Sequence, residues 1–253
     1  MPPQTRIRSE LQAELTLPPL FTPVRLRELG DAFAHAQMIA GEMGAGTLVH
    51  VGRFDLAEFA VVLEPTEPLR SARLAFYAGM AATAEALAAH APPEMPVEIH
   101  WPDALTVNGG LVGGGRLAWP QGTRERDMPH WLVFGAMIRT ASSGGVESGL
   151  YPQVTSLDEE GFDESTVQAL IETFARHLLL IIHTMQHEGF ATVAKLYLSR
   201  MARVSGIRRE LADNGDLRVR PVVSDKIKRH DFMQALVNPS WLDQTTGGIR
   251  MSV

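Results

Sequence analysis

The 253-residue chain has no cysteine. Disulfides, thiolate metal ligands and a cysteine nucleophile are therefore excluded. Lysine is nearly as scarce. Of 23 basic residues only three are lysine, Lys195, Lys226 and Lys228, and the first 194 positions carry none. Any chemistry requiring an ammonium group in that long stretch has nothing there to supply it. Long hydrophobic runs are missing as well. LLLII at 178–182 is far too short to cross a bilayer. The start, MPPQTRIRSELQAELTLPPLF, has no 7–15-residue apolar core of the kind a signal peptide needs. The expectation is a cytoplasmic protein with no membrane partner. An excess of positive charge is also lacking, since the net charge is −6 and the sequence pI about 5.8. Nucleic-acid binding normally needs a cationic surface that displaces counterions. The cluster Lys226, Lys228, Arg229, His230 is short and interrupted, and reads as a solvated strand edge or turn.

What is present is ordinary globular composition, 45% hydrophobic and 21% charged. The length suits one large domain with a small appendage. A helix is expected from Leu29 to about Met43, capped by Asp31 and ended by Gly44 and Gly46. Strands are expected at 47–51 and 58–65, and an alanine-rich helix at 69–91 that stops at Pro92-Pro93. VEIHW at 97–101 is strand-like, and HWLVFGAMIRT at 130–140 reads as a strand buried on both faces. Ser165 and Gln168 form a capping-box pattern before a long helix at 166–187, which Gly189 separates from a second helix reaching about residue 203. From Gly206 the texture turns to short strands and turns. Hairpin-paired strands with helices packed on one face indicate an α+β fold. The boundary falls at 204, giving a domain at 1–204 and a small β-rich appendage at 205–253.

Between these elements lies HWPDALTVNGGLVGGG at 100–115. Asn108-Gly109 is the preferred pair for a tight hairpin turn, where both central residues need positive φ. With its spacing from His100-Trp101-Pro102-Asp103 and from the glycine run, this stretch resembles the biotin/lipoate protein ligases. WLVFGAMIRT at 131–140 and GFATVAKLYL at 189–198 are similar to later elements of that family. The resemblance implies a mixed central sheet of the class II synthetase/biotin-ligase type with helices on one side, plus a small C-terminal β-rich domain. It implies ATP with biotin or lipoate as cofactor and substrate, an acyl-adenylate, and transfer to the lysine of a biotinyl or lipoyl carrier domain. A homodimer is compatible with it. Transfer through a cysteine thioester is excluded by composition.

The departures from that pattern bear on the chemistry. The family's catalytic lysine corresponds to Gly110. The arginine-rich adenylate loop is reduced to Gly52-Arg53-Phe54-Asp55, and the family's asparagine on the later strand aligns with Arg139. A phosphoryl centre gathers negative charge in its transition state, and fixed cations and amides offset it. An arginine can bind a carboxylate or phosphate but does not reproduce a lysine's geometry. Candidate ligand-binding residues are Arg53, His100, Trp101, Asp103, Gly113, Gly114, Gly115, Arg116 and Arg139; no catalytic residue is assigned. Each has a structural alternative. The glycines suit a close backbone approach as well as a ligand cradle, and no Walker Gly-Lys-Ser follows them. Asp103 could cap a bend, Trp101 could pack on Pro102, and Arg116 could face solvent or pair inside a cleft. His183 and His187 share a helix face four residues apart, but without a third ligand they read as solvated, and no metal site is expected. Glu159, Glu160, Asp163 and Glu164 read as a solvated acidic loop. Two readings stay open: an acyl-adenylate-forming ligase-type acyltransferase, or a degenerate scaffold that binds a small carboxylate or a carrier without adenylating. Duplex DNA should bind no tighter than non-specifically, about 10⁻⁴ M or weaker at physiological salt; submicromolar, salt-sensitive binding in fluorescence anisotropy would overturn the exclusion of nucleic acid.

Overall fold

The protein is described here by a computed structural model covering residues 14–142, 153–163, 166–224 and 226–251. In chain order the elements are β1 (Thr22–Leu26), α1 (Ala32–Met43), β2 (Thr47–Val51), β3 (Leu56–Leu63), α2 (Leu69–Ala72), α3 (Ala75–His90), β4 (Val97–His100), β5 (Ala104–Val107) and β6 (Gly110–Ala118). They continue with β7 (Leu132–Arg139), α4 (Thr166–Glu188), α5 (Phe190–Ser199), β8 (Ile207–Leu211), β9 (Leu217–Pro221), β10 (Lys228–His230) and α6 (Phe232–Val237). Strands β1 to β7 form one mixed sheet in the order β1-β2-β3-β7-β6-β5-β4. Only β1 and β2 pair in parallel; the remaining neighbours are antiparallel. A second sheet, β10-β9-β8, is the expected appendage.

Period-two alternation assigns the two faces of the large sheet. Leu48, Phe59, Val61, Phe134 and Ile138 face one core with α3, α4 and α5. Val49, Val51, Ala60, Val62 and Val133 face the other way, onto Ala32, Ala36 and Ala40 of α1. The expectation of helices on one side therefore holds for α3, α4 and α5, whereas α1 covers the opposite face. The physical reason is in β2, β3 and β7, whose side chains are buried on both faces and leave a second apolar surface to cover. Asp31 caps α1, its Oδ1 accepting the Ala34 N–H at 2.8 Å. The alanine-rich segment breaks into α2 and α3 at Arg73-Leu74 instead of running unbroken from 69 to 91. The hairpin turns at Asn108 (φ 52°) and Gly109 (φ 82°), both in the left-handed region. β1 and α6 were not anticipated, and the capping residue Ser165 lies outside the described residues.

One of the ties between the small sheet and the main domain is a hydroxyl. Tyr77 on α3 donates to the Gly215 carbonyl at 2.5 Å and accepts the Trp101 indole N–H at 2.9 Å. Phe232 at the start of α6 stacks on the same ring, with centroids 4.7 Å apart. Burial pushes the Tyr77 hydroxyl far above its usual range, so it stays protonated and able to donate. Tyr77→Phe keeps the ring packing but strips partners from Gly215 and Trp101. The expected cost is about 1–3 kcal/mol in urea unfolding, and a loss under about 0.5 kcal/mol would show that the hydroxyl adds nothing to the joint.

Candidate functional site

Beyond α6 the chain returns to the large sheet. Ser240 donates its backbone N–H to Asp103 Oδ2 at 2.8 Å and its hydroxyl to Oδ1 at 2.6 Å. The next residue, Trp241, is fully buried and donates its indole N–H to the Gly115 carbonyl at 3.0 Å. It packs with Ala104, Leu111, Met137, Leu242 and Ile249 on the sheet face that also carries α1. Leu242 and Ile249 form an antiparallel bridge that closes residues 242–249 into a short loop. The glycines of β6 make this docking possible. A Cβ on Gly113 would collide with the Met137 carbonyl across the β6–β7 ladder, and one on Gly114 with the Trp241 ring and the Asp103 carbonyl. Gly115 is pressed against Met80 and Phe134 from the other face. The space beside Gly113, Gly114 and Gly115 is thus occupied by the chain's own atoms.

The returning segment forms one wall of an open cleft of about 420 Å³. Thr246, Gly247, Gly248 and Ile249 line that wall; Gly30 and Asp31 before α1, Arg53 and Asp55 in the β2–β3 connection, and Leu56, Glu58, Met137 and Arg139 line the rest. Most of its charges are already paired. Arg53 holds Asp55 with two bonds, 2.8 and 2.6 Å. Arg116 lies beside the cleft, pairs with Asp31 at 3.3 Å and sits 4.2 Å over the Phe33 ring. Glu58 is buried and accepts the Ala32 N–H at 2.8 Å; burial raises its pKa above the ordinary value. Arg139 differs. Its guanidinium donates to the Met251 sulfur at 3.1 Å, and among the described residues no carboxylate stands within ion-pair distance of it. Burial lowers its pKa and nearby Glu159 opposes that shift; an arginine stays protonated regardless.

Of the nine expected ligand contacts, Arg53 and Arg139 come together in the cleft and Arg116 stands next to it. His100 is exposed at the end of β4, and Trp101 is committed to Tyr77 and to an edge contact with His230 at 5.7 Å. Asp103 holds Ser240. Glu160 is not simply solvated: it accepts from Thr155 at 2.8 Å and from Asn108 at 3.0 Å, bracing the hairpin turn. Glu164 lies outside the described residues. His183 and His187 stack at 4.0 Å on α4, and no group of three metal-ligating side chains occurs among the described residues. No helix among them is long and apolar enough to cross a membrane. Sequence reasoning missed the returning segment and with it Ser240, Trp241 and the wall 246–249. The lone signal was a buried-type residue, Trp241, in a turn-rich tail.

The sequence model of the biotin/lipoate A/B protein ligase family matches residues 17–199. The chain belongs to that family. Among curated proteins the sequence matches none. Among solved structures, a biotin protein ligase-like protein of unknown function from Silicibacter sp. TM1040 is 26% identical with a TM-score of 0.75, over 89% of this chain and 100% of that one. The biotin protein ligase of Aquifex aeolicus in complex with biotin and ATP is 14% identical, with a TM-score of 0.57 over 83% of this chain and 98% of that one. That of Leishmania major in complex with biotin is 16% identical, with a TM-score of 0.53 over 85% and 99%. The last two likenesses are of fold.

ATP does not fit the cleft of this ligase-family chain. Arg53 and Asp55 cancel one another, Asp31 pairs with Arg116, and against the buried Glu58 the lining leaves one arginine, Arg139. A triphosphate needs an excess of positive charge. None of the three lysines lines the cleft.

Asp103 gives this site a pH signature. Burial pushes its carboxyl from 3.8 up to about 6, against the pull of the Ser240 bonds. The folded state thus holds its proton more tightly than the unfolded chain does. Asp103's contribution to stability is full below about pH 4 and is lost as the pH rises through about 6. Asp103→Asn can keep partners for Ser240 but cannot ionise. The unfolding free energy of Asp103→Asn minus that of the native chain should rise by about 3 kcal/mol between pH 4 and pH 7. A difference that is flat over that range in denaturant titrations would show that this carboxyl titrates like an exposed one.

Proposed function

We propose that this chain binds a small carboxylate ligand on the ligase scaffold and does not activate it as an adenylate. The observation that carries the reading is Arg139, a guanidinium facing a cleft with no carboxylate partner among the described residues, while the neighbouring arginines are already paired. A guanidinium is the group that a carboxylate pairs with through two parallel bonds. A partly apolar cleft of this size suits a small acid. Activation needs more. The position of the family's lysine is Gly110, whose surroundings are taken up by Thr155, and the loop that would wrap the phosphates is four residues long. A biotinyl or lipoyl carrier domain is the macromolecular partner that family membership suggests, and the cytoplasm the setting. Full ligase activity with biotin or lipoate is the competing reading, and family membership is what favours it.

Two measurements separate the readings. Biotin- or lipoate-dependent ATP–pyrophosphate exchange is expected to be weak or absent, because each lost charge-stabilising contact costs roughly 10²–10³ in rate. Exchange at about 0.1–10 s⁻¹, within the range of working enzymes, would establish a ligase. Calorimetry with biotin, lipoate and octanoate tests binding. Arg139→Ala should weaken whichever acid binds by about 10–100-fold, the loss of a hydrogen-bonded charge, and an unchanged affinity would remove Arg139 from the site.

A further inference from the structure

Two charged side chains of the cleft are left once the ion pairs are set aside. Arg53 is bonded to Asp55, and Asp31 to Arg116, which stands beside the cleft. Arg139 and Glu58 remain. Glu58 is only 4% exposed. Its Oε1 accepts the Ala32 N–H at 2.8 Å, and among the described residues no group donates to Oε2. That second oxygen is not sealed inside protein, so it opens on the cleft that Glu58 lines. A buried carboxylate oxygen without a donor is costly, and a ligand that donates to it removes the cost. The strand register places the two groups. Leu56 pairs with Arg139 and Glu58 with Met137. Residues two apart on a strand share a face, so these four form one patch, and all four line the cleft. Glu58 and Arg139 hold one diagonal of the patch, with backbones about 7–8 Å apart as is usual for such a pair. Leu56 and Met137 hold the other. No ion pair joins Glu58 to Arg139 among the described residues.

We propose that the acid paired with Arg139 is a small aminocarboxylate whose ammonium group donates to Glu58 Oε2. This rests on the carboxylate reading above and adds the second group that the ligand must carry. An acid with an amine a few bonds from its carboxylate meets each unmatched charge with its opposite. A plain acid at Arg139 does the reverse. It brings a second anion next to a buried carboxyl and leaves Oε2 without a donor. Burial already holds the Glu58 carboxyl above its ordinary range, and Arg116 and Arg53 oppose that rise without bonding to it. An ammonium seated there favours the ionised form directly. The diagonal also limits the ligand's size. Both of its charges must fit within one pair of neighbouring strands, so the carbon chain between them is short, and it crosses the patch between Leu56 and Met137. Glu58 is thus a specificity residue, selecting amino acids over simple fatty or keto acids.

The experiment is calorimetry on the full chain with glycine, β-alanine and γ-aminobutyrate, each set against the same acid without its amine: acetate, propionate and butyrate. The three spacings between the charges also read the length of the diagonal. The best-fitting amino acid should bind about 10–100-fold tighter than its amine-free counterpart, the effect of one hydrogen bond to a charged group. In Glu58→Gln, whose amide oxygen can still accept the Ala32 N–H, that advantage should vanish, while the amine-free acid binds as well as before or better. Circular dichroism establishes that the variant is folded; if it is not, the comparison of ligands on the native chain decides alone. Amine-free acids bound as tightly as all three amino acids overturn the proposal and leave the carboxylate site standing. An advantage that survives in folded Glu58→Gln also overturns it, since the ammonium then sits elsewhere. An amino acid bound where no amine-free acid is detected supports the proposal in its stronger form. No acid of either kind bound by the native chain overturns both readings.

Discussion

The carboxylate of Asp103 is buried, and both its oxygens are taken by Ser240, 137 residues further along the chain. An ionised carboxylate out of water is costly unless hydrogen bonds replace its hydration. Here two donors from one residue offset only part of that cost, burial still raising the carboxyl's pKa to about 6, and the pairing holds the end of the chain against β5. The next residue, Trp241, lies beside Gly114. From there Asp243 shapes the loop: its N–H donates to the Gly248 carbonyl at 2.8 Å and its carboxylate accepts the Thr245 N–H at 2.8 Å. Thr246 to Ile249 are thereby presented to the cleft as its outer wall. A contact between residues 103 and 240 thus decides the shape of a site whose charged residues are 31, 53, 55, 58 and 139.

The electrostatics of that site follow from pairing more than from counting. Arginine supplies nearly all the positive charge of this chain, but an arginine that faces a carboxylate across a bidentate contact adds little field for a ligand. Arg53 is committed in this way, and Arg116 has a single contact with Asp31 and a stacked aromatic face. What is left over for an incoming anion is Arg139, one delocalised charge in a half-buried position. One charge matches one carboxylate and falls well short of a triphosphate.

Much of the fold was legible because it rests on short-range patterns. The alternation in TLVHV, the Asn108-Gly109 turn and the apolar run of β7 each state their own geometry. The hairpin motif with the elements after it was enough to indicate the family. The candidate site was legible only in part. Arg53 and Arg139 were identified and line one cleft, because Arg53 sits in the connection that leads into β3, whose first residue, Leu56, pairs with Arg139 on β7. Asp103 was identified as a residue with a task, but its partner was out of reach. The tail from Asn238 to Met251 has no periodicity, and its place is decided by non-local contacts such as Asp103 with Ser240 and Gly115 with Trp241. The glycines misled for a related reason. A lack of side chain at Gly113 and Gly114 admits anything that must come close, and a ligand and a tryptophan from the same chain leave the same mark in the sequence.

The fold and the chemistry of this family depend on different residues. The sheet is set by apolar side chains on its two faces. At 14% identity to the Aquifex aeolicus ligase the fold is still recognisable, because many sequences satisfy the same alternation. Catalysis on such a scaffold hangs instead on a few cations and a loop of backbone amides at defined places, and a single substitution can remove one of them entirely. Removing them need not leave an empty groove. An unfilled apolar groove along β6 would expose surface to water, and a tail able to lay an indole there is stabilised by doing so. The same packing that closes the groove also builds the wall of the cleft at Arg139.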